Sequence, residues 1–531
     1  MADILAYDIG TTGVKTCLYK VVDSIELKGA ASEGYDLYTI PGGGAEQHAD
    51  EWWDAICSTT AAVLEKTGAD PASIDGITFC SQMQGLVLVD EEGTPVRHPM
   101  SYMDQRASEE MKEGIGNGMK IAGINAEKLL RSLQITGMVP GSVKDPIWRY
   151  NWVRKHEPDN FSRVRWWLDV KEYIIGRMTG CFIMTEDSAC STMLYDTRNK
   201  TRGWSSEMCE MFNIDMEHLP PVIRTTDVAG FLREEQAAEL GLMAGTAVYG
   251  GGGDAGMIGI GAGCVKAGQT HMYCGTSGWV STLTKKQKTD TDNMIGGGIG
   301  AVPGMFNYFA EMETAGKCLE WVKDHLAKDE IGVYMDQEDI AGSKETVYES
   351  LYEYMSEVID SCPAGAGGVI FTPWLHGNRC PFEDHCSRGM FFNISLDTGK
   401  TEMLRAVTEG VCYQLKWMLD CEDKKIKTSK TIRFVGGGAL SPVTCQILAD
   451  ITGRTIETVE NPQNAGAAGA ALTAAVGMGI TNGLEDAGRL IPASAVYTPR
   501  TEDAEVYARN YEVFKNLYKS NKKNFEMMNG M

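Results

Sequence analysis

Three features of this 531-residue chain predict an α/β protein built from two related halves that face each other across a cleft. Short β-branched runs alternate with glycine turns and with stretches of helical periodicity, as expected of strands and helices packed in layers. The motif Gly10-Thr11-Thr12-Gly13 recurs as Gly275-Thr276-Ser277-Gly278, each time between two hydrophobic runs, half a chain length apart. Glycine is over-used, with 60 residues where about 7% is usual, which marks tight turns and close backbone approaches.

The elements follow in order. Runs 4–9 and 14–22 read as strands joined by the Gly10–Gly13 hairpin. A helix is expected from Asp50, a good N-cap residue type, with Trp52, Ile56, Val63 and Leu64 near helical spacing. Strand-like runs come next at 74–80 and 86–89, the second closed by Asp90-Glu91-Glu92-Gly93. Two further strands lead directly into glycines: 246–249 before Gly250-Gly251-Gly252-Gly253, and 432–435 before Gly436-Gly437-Gly438. Helices are expected at 401–419, at 443–452 and from Asp503 onward. The halves are divided near residue 258, giving 1–258 and 259–531.

Composition narrows the partners. Asp plus Glu outnumber Lys plus Arg by 72 to 49, a net charge of -23, which disfavours nucleic acid or an anionic membrane. Hydrophobic residues make up 43% and aromatics 8%, enough for packed cores and against disorder. The 15 cysteines are scattered with no C-x-x-C pair, which reads as reduced thiols in a cytosolic protein. No basic segment precedes Lys15, so no signal peptide is expected, and the uncharged stretch 461–484 is too weakly apolar for a membrane span. A soluble cytoplasmic protein is expected, with a homodimer as its assembly.

A G-T-[ST]-G hairpin suits an anion. Glycine lets the backbone approach a ligand, successive N–H groups converge as a nest, and the hydroxyls of Thr11, Thr12, Thr276 and Ser277 add donors. Each copy alone is equally an ordinary β-turn. Asp8 shifts the balance, because a carboxylate beside a phosphate nest is costly unless a cation such as Mg²⁺ bridges them. Asp254 ends the Gly250–Gly253 run on what reads as a flexible, uncrowded backbone, suited to a base reaching a substrate hydroxyl; the alternative is a helix N-cap. Gly436-Gly437-Gly438-Ala439 lies between a strand and a helix N-terminus, where a base or phosphate can rest on backbone. The Ala/Gly-rich stretch 465–471 reads as a close-packed helix, compatible with a hinge.

Other chemistries fit less well. Gly251, Gly253 and Gly256 match G-x-G-x-x-G, but so glycine-rich a chain yields about one such match by chance. His376, Cys380, His385 and Cys386 have no zinc-finger spacing, and Arg379 sits among them. His-Glu-x-x-His, Gly-x-Ser-x-Gly and the Walker loop are absent.

Taken together, Asp8-Ile-Gly-Thr-Thr-Gly-Val-Lys15, Gly251-Gly-Gly-Asp254, Gly275-Thr-Ser-Gly278 and Gly436-Gly-Gly-Ala439 resemble the ordered motifs of the FGGY carbohydrate kinases. Those kinases belong to the actin/hexokinase/Hsp70 ATPase superfamily. Glu46-Gln47-His-Ala-Asp-Glu-Trp52-Trp53, Tyr102-Met-Asp104-Gln-Arg106, Gly377-Asn-Arg379-Cys-Pro381, Leu404-Arg-Ala-Val-Thr-Glu-Gly410 and Ala449-Asp450-Ile-Thr-Gly453 extend the resemblance, collinear from residue 3 to about 475. It implies two ribonuclease-H-like (actin-like ATPase) domains flanking a deep cleft, and ATP- and Mg²⁺-dependent transfer of the γ-phosphoryl group to a sugar hydroxyl. It implies Asp254 as general base and Asp8 as the residue orienting the metal. Gly10, Thr11, Thr12 and Lys15, with Gly275, Thr276 and Ser277, would hold phosphates, while Gly437, Gly438 and Ala439 would line the adenosine site.

Ser81-Gln82-Met83-Gln84-Gly85 looks most like the sugar loop of xylulokinases, which implies Gln82, Met83, Gln84, Asp104 and Asp254 at the sugar. Three positions depart from that pattern. Gln84 stands for a sugar-facing His, Ala255 for a polar residue after the base, and Asn393 for a usual Gly. The first two leave the kinase reading intact and put D-xylulose itself in doubt. Another polyol, sugar acid or ketose is the alternative substrate. A nucleotide-dependent scaffold and a nicotinamide dehydrogenase are the alternatives of other classes.

Overall fold

The computed structural model describes residues 1–121, 123–198, 200–327 and 351–530. Strands β1 (Ala2–Ile9), β2 (Gly13–Val21) and β3 (Ile25–Gly34) form an antiparallel meander. Helix α1 (Ala49–Thr67) then lays Trp52, Trp53, Ile56 and Val63 on one face of that sheet, against Leu5, Tyr7, Ile9 and Leu18. Its N-cap is His48, not Asp50 as the sequence predicts. Asp50 and Glu51 lie within the first turn, where acidic side chains meet the positive end of the helix dipole. Strand β4 (Ile74–Ser81) pairs parallel with β1, carrying the chain back across the sheet. After helix α2 (Val170–Thr179), strand β5 (Val228–Phe231) pairs antiparallel with β6 (Ala247–Tyr249), and β6 runs parallel to β4. The two-residue strand β7 (Gly252–Gly253) also pairs with β4 and leads into helix α3 (Asp254–Gly261).

The second half repeats this plan. Strands β8 (Thr270–Cys274) and β9 (Gly278–Thr284) form the hairpin, and β10 (Gly296–Ile299) is an added edge strand paired with β11 (Phe306–Met312), which itself pairs with β9. Beyond helix α4 (Lys400–Asp423), strand β12 (Thr431–Val435) joins β8 in parallel. Helix α5 (Pro442–Thr452) leads to β13 (Thr455–Thr458), parallel to β12. Helix α6 (Ala465–Gly477) precedes β14 (Ala495–Tyr497), antiparallel to β13, and α7 (Ala504–Asn529) closes the chain. The sheet orders are β3-β2-β1-β4-β6-β5 and β10-β11-β9-β8-β12-β13-β14. Without β10, five strands of each sheet share one order and the same directions (β3-β2-β1-β4-β6 and β11-β9-β8-β12-β13), while the antiparallel edge strand precedes its neighbour in the first half and follows it in the second. The motif echo of the sequence is thus a repeated five-strand fold.

Helices α3 and α6 join the halves. Ile4, Ala6, Cys17 and Tyr19 from the first sheet share one core with Trp279 and Val435 from the second, with the two helices between them. A Cβ at Gly261 would lie 1.8 Å from the Ala465 carbonyl oxygen, and one at Gly469 would lie 1.9 Å from that of Met257. Only glycine permits this backbone-to-backbone contact. All fifteen cysteines are free, and among the described residues no helix is long and apolar enough to cross a membrane.

Candidate active site

Parallel strands place the reactive groups. Asp8 of β1, Cys80 of β4 and Gly252 of β7 are register partners in a row across the first sheet, with about 4.8 Å between neighbouring strands. All three lie at carboxyl ends of strands, where open α/β sheets bind ligands. Asp8 is half-buried. Burial raises its pKa, while the charge of Lys15, its register partner on β2, and the Cys80 thiol pull it back. The Lys15 ammonium itself bonds the Gln463 carbonyl at 2.7 Å, so it ties the hairpin strand to the entry of α6.

The first hairpin closes by Gly10 N–H donating to the Gly13 carbonyl at 2.9 Å, and the second by Gly275 N–H donating to that of Ser277 at 3.0 Å. Thr12 and Thr276 are exposed at their tips. The second hairpin and the Gly436–Ala439 turn stand at the ends of β8 and β12, adjacent parallel strands of the second sheet. Gly436 has φ +93, and a Cβ there would lie 2.5 Å from the Cys274 carbonyl oxygen. At Gly437 a Cβ would meet nothing within 4 Å, which leaves open space above that backbone.

Asp254 is the first residue of α3 and Gly253 is the N-cap, so the N-cap alternative for Asp254 does not hold. The glycines before it are crowded, contrary to the flexible backbone expected. A Cβ at Gly251, where φ is +58, would lie 2.2 Å from the Phe79 carbonyl oxygen; one at Gly252 would lie 2.8 Å from the Asp187 carboxylate, and one at Gly253 2.2 Å from the Met83 sulfur. These glycines let the backbone before Asp254 come close to β4 and to Met83. Burial pushes the Asp254 pKa up to about 7; the Ala255 N–H at 2.8 Å opposes this, and the charges of Glu311, Asp8 and Asp169 add to it.

The sugar loop is held from behind. Gln82 is buried and donates to the Gly10 carbonyl at 3.0 Å and to Gln47 Oε1 at 3.1 Å, while Gln47 donates to the Thr11 carbonyl at 2.8 Å. Gln82 therefore braces the first hairpin. Gln84 has φ +63, its N–H bonded to Asp169 at 2.8 Å and its carbonyl to Arg149. Its side-chain amide donates to the Ser191 carbonyl at 3.3 Å. Asp104 does not present a free carboxylate. Fully buried, it accepts from the Ala45 N–H at 2.8 Å and from Arg106 Nη2 at 2.7 Å through Oδ2, and from the Arg106 N–H at 3.0 Å through Oδ1. Its duty is to fasten the loop carrying Tyr102, whose hydroxyl accepts from Thr11 Oγ1 at 3.5 Å.

Comparison with known proteins decides the family. The N-terminal domain pattern of the FGGY family of carbohydrate kinases matches residues 4–261, and its C-terminal domain pattern matches residues 271–478. The chain belongs to the FGGY carbohydrate kinases. It is 28% identical to a xylulose kinase of Bacillus subtilis (strain 168) over 524 residues, 98% of this chain and 97% of that one. A gluconokinase of Bacillus licheniformis is 25% identical over 530 residues, covering 97% and 95% of the two chains. The crystal structure of a ligand-bound xylulose kinase from Lactobacillus acidophilus shares the fold with a TM-score of 0.83 at 24% identity, over 99% of this chain and 100% of that one.

For an FGGY kinase, the three departures now have local explanations. Asn393 has φ +68, a conformation that glycine takes freely and that asparagine tolerates best among the others. Gln84 is spent in part on Ser191, and Ala255 contributes only its backbone N–H, to Asp254. Sequence reasoning missed Asp169, Arg149 and Glu311. The first two reach Gln84 from 85 and 65 positions away, and Glu311 pairs with Arg379, a residue already prominent in the Gly377–Pro381 motif. Among the described residues no group of three or more His, Cys, Asp and Glu is placed to hold a metal ion.

Proposed function

We propose that this FGGY kinase transfers the γ-phosphoryl group of ATP to a hydroxyl of a ketopentose, with Asp254 as general base. The single observation that carries this reading is the Asp254 carboxylate, at a helix N-terminus in the strand-end cleft, with a pKa raised to about 7. A base so tuned accepts the proton of the attacking hydroxyl at neutral pH. The freed oxygen attacks the γ-phosphorus, the bond from that phosphorus to the β-bridging oxygen breaks, and ADP leaves. The half 1–258 supplies Asp8, Asp254, the first hairpin (Gly10, Thr11, Thr12) and the sugar loop. The half 259–531 supplies Gly275, Thr276 and Ser277 for phosphate and Gly437, Gly438 and Ala439 for adenosine.

Mg²⁺ fits the residues present. Asp8 is a hard oxygen donor held by burial, and Gly466 keeps the space beside it open, since a Cβ there would lie 3.1 Å from Oδ2. Bound metal neutralises phosphate charge during transfer.

The substrate assignment rests on the sugar loop and on relatives that include both xylulose kinases and a gluconokinase. Ala255 offers no side-chain hydrogen bond and Gln84 differs in reach from His, and each lost bond to a buried hydroxyl costs about 1–3 kcal/mol, roughly 5- to 150-fold. Activity on D-xylulose is therefore expected to be weak or broadened, with another ketopentose, a polyol or a sugar acid such as gluconate as competitor. An ATP-consumption screen across these three classes tests the reading. Turnover with a ketopentose supports it, a clear preference for a sugar acid replaces it with that alternative, and a hundredfold preference for D-xylulose overturns the reading of Gln84 and Ala255.

A further inference from the structure

The geometry points to Asp187 as a positioning residue for Asp254, a role that rests on the proposed reading of Asp254 as the base. Asp187 lies in the short helix Glu186–Ser191, buried, 67 positions before the base. Its Oδ2 accepts the N–H of Gly253 at 2.7 Å, the peptide immediately before Asp254. Its Oδ1 accepts the hydroxyl of Thr185 at 2.6 Å. That hydroxyl in turn accepts from the Lys171 ammonium at 2.6 Å, and Lys171 also reaches Ser188 Oγ at 2.8 Å and pairs with Glu172. Lys171 and Glu172 are fully buried.

This is more than a solvated ion network that happens to lie nearby. Buried charges are costly unless paired and hydrogen-bonded, and here each is held by several partners. The site is built around Asp187, because Gly252 leaves the space its carboxylate fills: a Cβ there would lie 2.8 Å from Oδ2. Strand β7 has only two residues and is paired on one side to Cys80 and Ser81 of β4. Asp187 anchors the same peptide run by its remaining N–H donor at Gly253, so the direction in which Asp254 leaves the strand is fixed from two sides.

The same segment also sets the sugar loop. Asp169, two residues before Lys171, accepts the N–H groups of Gln84 and Gly85, each at 2.8 Å, through its two oxygens. The run Asp169–Glu172 at the start of α2 thus registers the sugar loop directly, and the base through Thr185 and Asp187. A displacement of about 1 Å between base and acceptor costs up to roughly a hundredfold in rate, which is the scale on which such a brace acts.

The test uses the full-length enzyme with its best substrate from the screen and MgATP. Asp187→Ala is expected to lower kcat about 10- to 100-fold while the KM for ATP stays within about twofold. Asp187→Asn, whose amide oxygen still accepts the Gly253 N–H, restores most of the loss. Because Asp187 acts through Asp254, Asp187→Ala added to Asp254→Asn lowers the residual rate no further. Wild-type kcat in Asp187→Ala overturns the inference, as does a full additive fall in the double variant, which marks a purely structural role. If Asp187→Ala does not fold, Thr185→Val, which removes the hydroxyl orienting Asp187, is read by the same additivity criterion. Unchanged turnover in Asp254→Asn alone identifies a failure of the base assignment, whereas a dead Asp254→Asn with an active Asp187→Ala rejects this inference only.

Discussion

In the proposed role of Asp254 as base, burial, more than any single neighbour, sets the working range, raising its pKa to about 7. A base is active only when unprotonated, so kcat/KM is expected to fall about tenfold per pH unit below that value, a slope measurable in a pH–rate profile. Asp254→Asn is expected to cut kcat by roughly 10²–10⁴ while MgATP still protects the protein against heat, which separates loss of the base from loss of binding. Near-wild-type turnover removes Asp254 from the role. In the proposed reading Asp8 acts through the metal instead, so Asp8→Ala is expected to raise the Mg²⁺ concentration needed for half-maximal activity; an unchanged titration refutes this. Both aspartates stood out in the sequence as candidates because each stands beside glycines at the end of a hydrophobic run. Asp169, Asp187 and Arg149 were not, because their partners lie 65 to 85 positions away and nothing local marks the contact. Asp104 was legible as a motif residue but not in its duty, since only the fold shows both its oxygens committed to Ala45 and Arg106.

At the scale of elements, hydrophobic periodicity located the hairpins, the strand-to-glycine turns and most helix bounds to within a residue or two, while one helix end drifted further. The helix read at 401–419 runs over Lys400–Asp423, and its last turn carries a charge the periodicity never required. Glu422 is fully buried there, accepting the Thr282 hydroxyl at 2.6 Å through Oε2, while Oε1 has no partner. Burial pushes its pKa up to about 8. The folded state therefore holds this proton more tightly than the unfolded chain does. The associated stability is fully present below the unfolded carboxyl value, near 4.3, and is lost as pH rises towards about 8. Glu422→Gln is expected to flatten that part of the stability–pH curve, by up to about 1.4 kcal/mol per pH unit, in chemical denaturation between pH 5 and 8. Parallel curves for the two proteins over that range contradict the placement of a buried proton on Glu422.

On the scale of the whole molecule, a four-residue echo stood for a repeated sheet, because the same hairpin joins the first two strands of each copy. What the echo could not reveal is how the copies are tied. At the base of the cleft α3 and α6 touch backbone to backbone at Gly261 and Gly469. Elsewhere the halves meet through polar contacts, Lys144 to Glu313 at 2.9 Å and Gln287 to the Thr136 carbonyl at 2.8 Å, and through a buried apolar cluster of Met184, Ala189, Cys190 and Tyr195 with Ile299 and Phe306. Close-packed backbones resist sliding, whereas ion pairs and single hydrogen bonds exchange with water at little net cost. The α3–α6 contact is therefore the expected pivot, and the polar contacts are the ones expected to remake if the cleft changes width. In the proposed reading each half carries one phosphate hairpin, so neither assembles the site alone, and transfer to a sugar instead of to water requires the cleft to shut over both substrates. Small-angle scattering is expected to show a smaller radius of gyration with sugar and a non-hydrolysable ATP analogue together than with neither. A scattering curve that does not change with both ligands bound counts against closure about the α3–α6 contact.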